Sequence, residues 1–408
     1  MKRREWLKKM SSTAALSVGG GVSAMSNDES GRKATRPATL ETEIVRLQLR
    51  HTWTTVMSSS NYRDNLLVRL NCGDVTGRGE GAPIVRYHEN AESARRALES
   101  VSQLVGATDP WHFEKLMAEV FRRISGEYAA KAALDISLMD AAGQRLGVPL
   151  YRYFGLDRND APVTTFSIGI DTPETTRQKV LEAEQFPVLK IKVGLQNDEE
   201  TIESVRSVTK KPIRVDANEG WKDKEEAVRK INWLESRGVE FVEQPMPASM
   251  LEETRWVRGR VHIPIIADEA CLHPADIPRL ANSYDGVNIK LMKCGGMLEA
   301  FRMIQIAKSL GMKTMLGCMI ESSIGVTAAA HLSPLVDYAD LDGNLLIAND
   351  PYSGVRVEKG KLILPERPGL GVAPLSSGHP VEPQGCRRFP DRPRRGGTGV
   401  APRVSAGF

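Results

Sequence analysis

The chain has 408 residues, of which 41% are hydrophobic and 26% charged, so it is long enough for two or three domains and has the composition of a globular protein. Its net charge of +4 comes from its ends, because residues 1–36 carry eight Lys and Arg against three acidic residues, and residues 373–408 carry six Arg against two. The body between them is net acidic, which gives no electrostatic reason to expect a nucleic acid partner, and no run approaches the roughly 20 apolar residues of a membrane span.

Residues 1–36 are predicted to be an export signal and linker. The chain starts with a basic segment that contains KRR at 2–4, continues through a weakly apolar run and reaches a small-residue cleavage site, VSA at 22–24. The paired arginines followed by Trp-Leu-Lys resemble a twin-arginine signal, which exports folded proteins. We therefore expect a periplasmic or exported protein. The alternative is an amphipathic tail on a cytoplasmic protein.

Residues 37–158 are predicted to form an α+β capping domain. Alternating stretches at 42–50 and 66–71 indicate strands, and the polar segment 54–64 between them is long enough to be a mobile lid. Apolar residues at helical spacing follow. The predicted helices are 91–105, 110–123 and 127–146.

Residues 159–350 are predicted to form a barrel. Short β-branched runs alternate with amphipathic segments such as 223–237 and 296–310, as in βα units that feed a parallel sheet. The predicted strands are 163–170, 188–193, 213–217, 240–244, 263–268, 286–292, 313–318 and 338–342. Eight strands are the number of a closed α/β barrel, although a doubly wound open sheet would alternate in the same way.

The last part of the chain is predicted in two pieces. Residues 351–372 would return to pack on the cap. Residues 373–408 are rich in Pro, Gly, Ser and Arg and almost free of large apolar residues, which is typical of a disordered tail.

Charged residues at the strand ends favour the closed barrel. Lys192, Asp216, Glu243, Asp268 and Lys290 follow one another at intervals of 22 to 27 residues, one βα unit each. In a barrel such side chains converge at the mouth formed by the carboxyl ends of the strands, whereas a flat sheet would spread them along a line.

Three of these residues predict a metal site. Asp216, Glu243 and Asp268 would repel one another strongly at one mouth unless a cation joined them. An all-oxygen ligand set without His or Cys favours Mg²⁺ over zinc, with one ion per subunit and Mn²⁺ as the alternative.

The lysines beside this cluster predict acid–base chemistry. Lys190 and Lys192 point to the same face of one strand, and Lys290 ends a strand on the far side of the carboxylates. Lys293 is predicted to be a loop residue. A desolvated lysine near other cations has a lowered pKa and can act as a base. One lysine could remove an α-proton from a metal-held carboxylic acid, the cation would stabilise the enolate, and the opposite lysine could return a proton.

The chain resembles the muconate-lactonizing-enzyme subgroup of the enolase superfamily, and most closely the dipeptide epimerases. The resemblance covers residues 40–372. Its motifs are AAKAALDISLMDAAGQRLGVPLYRYFG (129–155), LKIKVG (189–194), VDANEGW (215–221), VEQP (242–245), ADEA (267–270), NIKLMKCGG (288–296), GCMIESSIG (317–325) and DLDG (340–343).

This resemblance implies a capping α+β domain on a (β/α)7β TIM-like barrel, with the three strand-end carboxylates as Mg²⁺ ligands. It implies that Lys192 and Lys290 are the two acid–base catalysts and that Lys190 lies beside the substrate carboxylate, where it lowers the pKa of Lys192. The activity would be inversion of the α-carbon of the C-terminal residue of a dipeptide by two-base 1,1-proton transfer. We also expect a homo-oligomer.

Asp340 and Asp342 separate the candidate substrates. In dipeptide epimerases this DxD pair binds the N-terminal amine of the substrate, whereas substrates of the alternative enzymes, a muconate-type cycloisomerase or an o-succinylbenzoate synthase, have no amine. One Asp could instead cap the following turn. A third hypothesis, outside enzymes, is a secreted binding protein that keeps the barrel fold but catalyses no reaction.

The second residue of the substrate is predicted from the lid. Epimerases that act on L-Ala-D/L-Glu hold the glutamate with an arginine, and Ser58 aligns with that position. Arg50 and Arg63 lie close in sequence, but a guanidinium displaced along a loop is not equivalent. We therefore expect an apolar or polar second residue. The other residues that align with the family's substrate pocket are Ser167, Cys318 and Ile320.

Overall fold

The computed structural model describes residues 37–56 and 58–375. The predicted export signal and most of the predicted tail lie outside these residues. The start of the tail does not: Ala373–Pro374 forms a strand antiparallel to Tyr352–Ser353, so the ordered chain extends past the boundary predicted at 372.

A three-stranded antiparallel sheet opens the described chain. Its strands are β1 (Thr39–Thr54), β2 (Ser59–Asn71) and β3 (Thr76–Gly81), in the order β1-β2-β3. The segment 54–64, predicted as a polar lid between two strands, is mostly the first half of β2, and the β1–β2 pairing reaches Thr54 and Ser59. This end of the hairpin is largely exposed on both faces. Its strands therefore carry polar residues, and their sequence has the pattern expected of a loop.

Helices of the cap pack on this sheet. They are α1 (Ala91–Ser100), α2 (Ser102–Ala107), α3 (Phe113–Arg123), α4 (Tyr128–Leu146) and α5 (Leu150–Tyr153). The backbone of α4 lies directly on β3, where a Cβ atom at Gly79 would be only 1.9 Å from the carbonyl oxygen of Ala133. Glycine is therefore required for this close approach of helix and strand.

The rest of the chain is a parallel barrel, as predicted. Its strands are β4 (Phe166–Ile168), β5 (Leu189–Lys192), β6 (Ile213–Asp216), β7 (Val239–Glu243), β8 (Ile265–Ala267), β9 (Gly286–Ile289), β10 (Lys313–Gly317) and β11 (Tyr338–Asp340). They pair in chain order, and a parallel bridge between Thr164 and Ala339 joins the first strand to the last. This closure rules out the open doubly wound sheet.

Seven crossovers surround the barrel. Their helices are α6 (Pro173–Glu182), α7 (Asp198–Arg206), α8 (Lys224–Ser236), α9 (Leu251–Arg258), α10 (Ile277–Leu280), α11 (Leu291–Cys294), α12 (Met297–Ser309) and α13 (Ser323–Leu332). Apolar residues such as Leu189 and Ile191 pack in the core shared with these helices. Because neighbouring residues on a strand face opposite sides, Lys190 and Lys192 face the interior of the barrel.

The C-terminal segment contacts the cap. It contains β12 (Tyr352–Ser353), β13 (Arg356–Glu358), β14 (Lys361–Ile363) and β15 (Ala373–Pro374). The N–H of Leu370 donates to Oδ1 of Asp140 on α4 at 2.8 Å. Among the described helices, none combines the length and the apolar character needed to cross a membrane.

Candidate active site

The three predicted metal ligands meet at the mouth of the barrel. Asp216 ends β6, Glu243 ends β7 and Asp268 follows β8, and all three are at most 2% exposed. One carboxylate oxygen from each lies within 4.8 Å of the others. Three neighbouring strands of a parallel barrel therefore bring together side chains that are far apart in sequence.

Burial and charge set the protonation of this triad. Burial, with the neighbouring charge of Asp216, raises the pKa of Glu243 to about 7. Burial alone would also raise the pKa of Asp216, but Lys192 and Lys190 outweigh it and lower that pKa. Lys290 and Lys293 likewise outweigh burial and lower the pKa of Asp268. Glu243, which has both other carboxylates as neighbours, is therefore the hardest of the three to ionise.

The triad fits a hard divalent cation. Its donors are all carboxylate oxygens, which suit Mg²⁺ or Mn²⁺ rather than zinc. Glu243 Oε2 accepts no well-aligned hydrogen bond, although Lys190 Nζ lies 2.7 Å from it, while Asn288 donates to Oε1 at 2.7 Å. An oriented, under-satisfied buried carboxylate oxygen is what a metal ligand requires.

Two lysines flank the triad from opposite walls. Lys192 Nζ lies 2.5 Å from Asp216 Oδ2, and Lys290 Nζ lies 2.7 Å from Asp268 Oδ2. They end the second and just follow the sixth strand of an eight-stranded barrel. In the protein chain by itself, burial would lower the pKa of Lys290, but the carboxylates of Asp268 and Glu243 outweigh burial and raise it. A cation on the same carboxylates would oppose that effect.

Lys190 connects the triad to the predicted amine site. Its Nζ atom lies 2.7 Å from Glu243 Oε2, 3.2 Å from Asp216 Oδ2 and 2.7 Å from Asp340 Oδ2. It is 1% exposed. Burial would lower the pKa of Lys190, but these carboxylates hold it well above its usual value, so Lys190 is a fixed positive charge.

Lys293, predicted to be a loop residue, is instead buried beside the triad. It lies on α11, where its Nζ atom donates to Oδ1 of Asp268 at 2.5 Å and to the carbonyl oxygen of Asp268 at 2.6 Å. The short helix was missed because residues 286–292 look like one strand. Gly295 and Gly296, both with positive φ, follow it directly and are the sequence signal that could have revealed a helix end.

Asp340 and Asp342 line the same cavity, and Lys190 joins Asp340 to the triad. Asp340 ends β11, and Asp342 lies two residues beyond it rather than on the strand. Ser167 holds both, because its N–H donates to Asp342 Oδ2 at 2.6 Å and its hydroxyl to Asp340 Oδ1 at 3.2 Å. Burial, with the charge of Asp340, raises the pKa of Asp342 to about 7. A cationic group in the cavity would stabilise this pair.

A cavity of about 140 Å³ lies between the cap and the mouth of the barrel. The predicted pocket residues Ser58, Ser167, Cys318 and Ile320 all line it. Together with them it is lined by Lys190, Lys192, Lys290, Asp268, Asp340 and Asp342. Of the site residues predicted from the sequence, Asp216 and Glu243 are the two that do not line the cavity in the described chain. Both are fully buried behind it.

The cap contributes residues that the sequence did not single out. Trp53 on β1, and Arg86 and Tyr87 after β3, also line the cavity. Arg86 forms an ion pair with Glu219 of the barrel at 2.5 Å. The sequence offered little sign of their role, because none of the three lies at the end of a barrel strand, where site residues were sought.

A closed parallel barrel with an α+β cap and a carboxylate triad between two lysines defines a barrel enzyme of the enolase type. Residues 39–155 match the mandelate racemase / muconate lactonizing enzyme N-terminal domain, and residues 174–377 match the enolase C-terminal domain-like family. The chain belongs to the mandelate racemase / muconate lactonizing enzyme family of the enolase superfamily.

Individual relatives agree with this assignment. The chain is 44% identical to an L-Ala-D/L-Glu epimerase from Bacteroides thetaiotaomicron, over 80% of this chain and 85% of that one. It is also 44% identical to an L-Ala-D/L-amino acid epimerase from Pedosphaera parvula, over 80% and 96%. Among solved structures, a dipeptide epimerase from Enterococcus faecalis in complex with Mg and L-Leu-L-Tyr is similar, with a TM-score of 0.78 and 33% identity over 83% and 99%.

Proposed function

We propose that this protein is a Mg²⁺-dependent dipeptide epimerase that inverts the α-carbon of the C-terminal residue by two-base 1,1-proton transfer. The observation that carries this proposal is the placement of Lys192 and Lys290 on opposite walls of one cavity, with the carboxylate triad between them. Inversion requires a proton acceptor on one face of a carbon and a donor on the other, and this geometry supplies both.

Each group has a defined task in this reaction. Asp216, Glu243 and Asp268 would hold Mg²⁺. The bound Mg²⁺ supplies positive charge that stabilises the negative charge on the substrate carboxylate when the α-proton leaves. Lys192 and Lys290 exchange roles with the direction of the reaction: one takes the α-proton from its face and the other gives a proton on the opposite face.

The acidic pair supports a dipeptide over the substrates of the alternative enzymes. Asp340 and Asp342 place two buried carboxylates on the cavity wall, which suits an ammonium group. The substrates of muconate-type cycloisomerases and o-succinylbenzoate synthases offer no such group. The similar proteins from B. thetaiotaomicron, P. parvula and E. faecalis, named for dipeptides or their residues, add support for the same class.

Proton NMR in D₂O tests the proposal. The purified full-length protein with Mg²⁺ is incubated with a panel of L,L dipeptides, and the α-proton signals and the L,D diastereomer are followed. Loss of the C-terminal α-proton signal, with appearance of the diastereomer and with both abolished by EDTA, is the expected result. A folded, Mg²⁺-loaded protein that exchanges no dipeptide, but converts a muconate or succinylbenzoate precursor, would overturn it.

Export and assembly are further parts of the proposal. The basic start and the small-residue site in residues 1–36, which lie outside the described residues, support export through a twin-arginine route. Cell fractionation with and without Arg3→Lys and Arg4→Lys tests it, because retention in the cytoplasm would be expected only for the double variant. A homo-oligomer stays a prediction that light scattering of the purified protein can check.

A further inference from the structure

Arg63 stands out among the positively charged residues of the cavity. It lies on β2, two residues before Asn65, which is buried and donates to the carbonyl oxygen of Ile320 at 2.9 Å. Residues two apart on a strand share a face, so Arg63 faces the barrel. It lines the cavity with Ser58 and Ile320. Arg50, the other arginine of the hairpin considered above, does not line it and instead donates to the carbonyl oxygen of Leu345 at 3.1 Å.

The other cations of the cavity have carboxylate partners. Arg86 pairs with Glu219, Lys192 with Asp216 and Lys290 with Asp268. Arg63 forms no ion pair with any described residue, and its one hydrogen bond goes to the carbonyl oxygen of the neighbouring Tyr62 at 3.0 Å.

Its environment is half-buried. Burial lowers the pKa of Arg63, and no carboxylate offsets that effect. A guanidinium carries five donors, of which a single backbone contact uses one. Partly desolvating such a group without a counter-charge costs free energy, and an anion in the cavity would recover it.

We propose that Arg63 binds an acidic side chain on the C-terminal residue of the substrate, which makes this protein selective for dipeptides that end in Glu or Asp. This inference rests on the proposed function. The planar guanidinium suits a second carboxylate, since two parallel hydrogen bonds can form. The expectation of an apolar or polar second residue, which followed from Ser58, is thereby reversed: the charge is supplied five residues further along the hairpin.

The α-carboxylate of the substrate is not the anion that Arg63 would bind. The α-carbon must lie between Lys192 and Lys290, so its carboxylate lies at the triad on the barrel side. Arg63 belongs to the cap side of the same cavity. A side chain that projects from the α-carbon toward the cap is the part of a dipeptide that reaches it.

Isosteric substrates provide the test. Values of kcat and KM are measured for L-Ala-L-Glu, L-Ala-L-Gln and L-Ala-L-Leu with the parent protein, Arg63→Met and the control Arg50→Met. We expect the parent to prefer Glu over Gln by about ten-fold or more in kcat/KM, because only the carboxylate pairs with the guanidinium. In Arg63→Met that ratio should fall to about one, mainly through KM, whereas Arg50→Met should keep the parental ratio.

A charge reversal adds an independent readout. Arg63→Glu should favour L-Ala-L-Lys over L-Ala-L-Glu, the reverse of the parental preference. Equal losses for Glu, Gln and Leu substrates in Arg63→Met would overturn the proposal, as would a parent that shows no preference for Glu. These outcomes differ from failure of the proposed function, in which the parent would exchange none of the three dipeptides.

Discussion

Lys192 and Lys290 each contact the outer carboxylate on their own side of the triad, at 2.5 Å from Asp216 and 2.7 Å from Asp268. They are four strands apart in a barrel of eight, which is the largest separation that the barrel allows. The central carboxylate, Glu243, contacts neither of them and is held by Lys190 and Asn288. The two lysines therefore make the same kind of contact with the triad, but they approach it from opposite walls of the barrel.

This opposition predicts a different defect for each lysine variant. Lys192→Met and Lys290→Met should each lower kcat for inversion by about 10²- to 10⁴-fold, because one proton carrier is lost. Each variant should still exchange the α-proton of the one epimer whose hydrogen faces the remaining lysine. Deuterium incorporation into separate L,L and L,D substrates measures this. The exposed Lys308→Met is the control, and a lysine variant that inverts the α-carbon as fast as the parent would contradict the two-base assignment.

The triad predicts a stabilising effect of Mg²⁺. A ligand that binds only the folded state at about 100 times its Kd stabilises that state by about 2.7 kcal/mol, so Tm should rise on addition of Mg²⁺. Glu243→Gln removes one ligand and should abolish most of the rise. Asp350→Asn, another buried carboxylate outside the triad, should respond like the parent. Equal Mg²⁺ responses of Glu243→Gln and the parent in differential scanning calorimetry would rule out this site.

The acidic pair predicts a requirement for a free amine. Asp342→Asn should lower kcat/KM for unmodified dipeptides by about thirty-fold or more, since removing one partner of a buried charge pair leaves the other uncompensated. The parent should discriminate strongly against the N-acetylated form of the same dipeptide. The variant should discriminate less, and an undiminished preference for the free amine would place the amine elsewhere.

His331 predicts a loss of stability in acid. Its Nδ1 atom accepts from the N–H of Tyr151 at 3.2 Å and its Nε2 atom faces the carbonyl oxygen of Leu370 at 3.0 Å, so the ring is neutral with the proton on Nε2. Burial lowers its pKa from 6.5 to about 4. As pH falls, the unfolded chain takes up a proton first, and the free energy of unfolding should decrease by roughly 3 kcal/mol between about pH 6.5 and 4.

The effect of His331 must be measured as a difference. Burial raises the pKa of Asp135 to about 7, and such a group adds stability as pH falls, which opposes the histidine. Urea unfolding of the parent and of His331→Asn at several pH values cancels this contribution. The stability advantage of the parent should shrink from pH 7 to pH 4, and a constant advantage would contradict the assignment.

The contact of β3 with α4 predicts a local limit on side-chain size. Gly79→Ala would place a Cβ atom 1.9 Å from the carbonyl oxygen of Ala133, so the helix must move, at a cost of about 1 to 3 kcal/mol. Gly259→Ala is the matched control, because its nearest neighbour would be 3.7 Å away. Similar Tm values for the two variants would show that the cap tolerates the shift.

The triad could be predicted from sequence because each carboxylate ends or directly follows a buried strand. The barrel topology alone then determines that Asp216, Glu243 and Asp268 meet. The hairpin of β1 and β2 could not be predicted in the same way. One of its supports is a bridge between Leu49 and Ile347, far along the chain, and no local pattern reports such a contact.

The sequence could not show which of Arg50 and Arg63 lines the cavity, because this too depends on contacts that no local pattern reports. Both arginines lie near Ser58 in sequence, and only the folded hairpin shows that Arg63 on β2 lines the cavity while Arg50 on β1 contacts Leu345. Lys293 was misjudged because an apolar run followed by a lysine is compatible with a strand and with a single helical turn. In both cases the deciding information is three-dimensional.

The hairpin and the barrel strands supply different walls of one cavity, from separate stretches of the sequence. The hairpin side of the cavity is formed by Trp53, Thr55, Ser58, Arg63 and Asn65, and the proton-transferring lysines belong to the barrel strands between residues 189 and 290. Mutations in the hairpin can therefore accumulate without altering the chemistry beneath it. Evolution of new preferences in such a protein can proceed by rewriting about a dozen residues while the barrel is inherited unchanged.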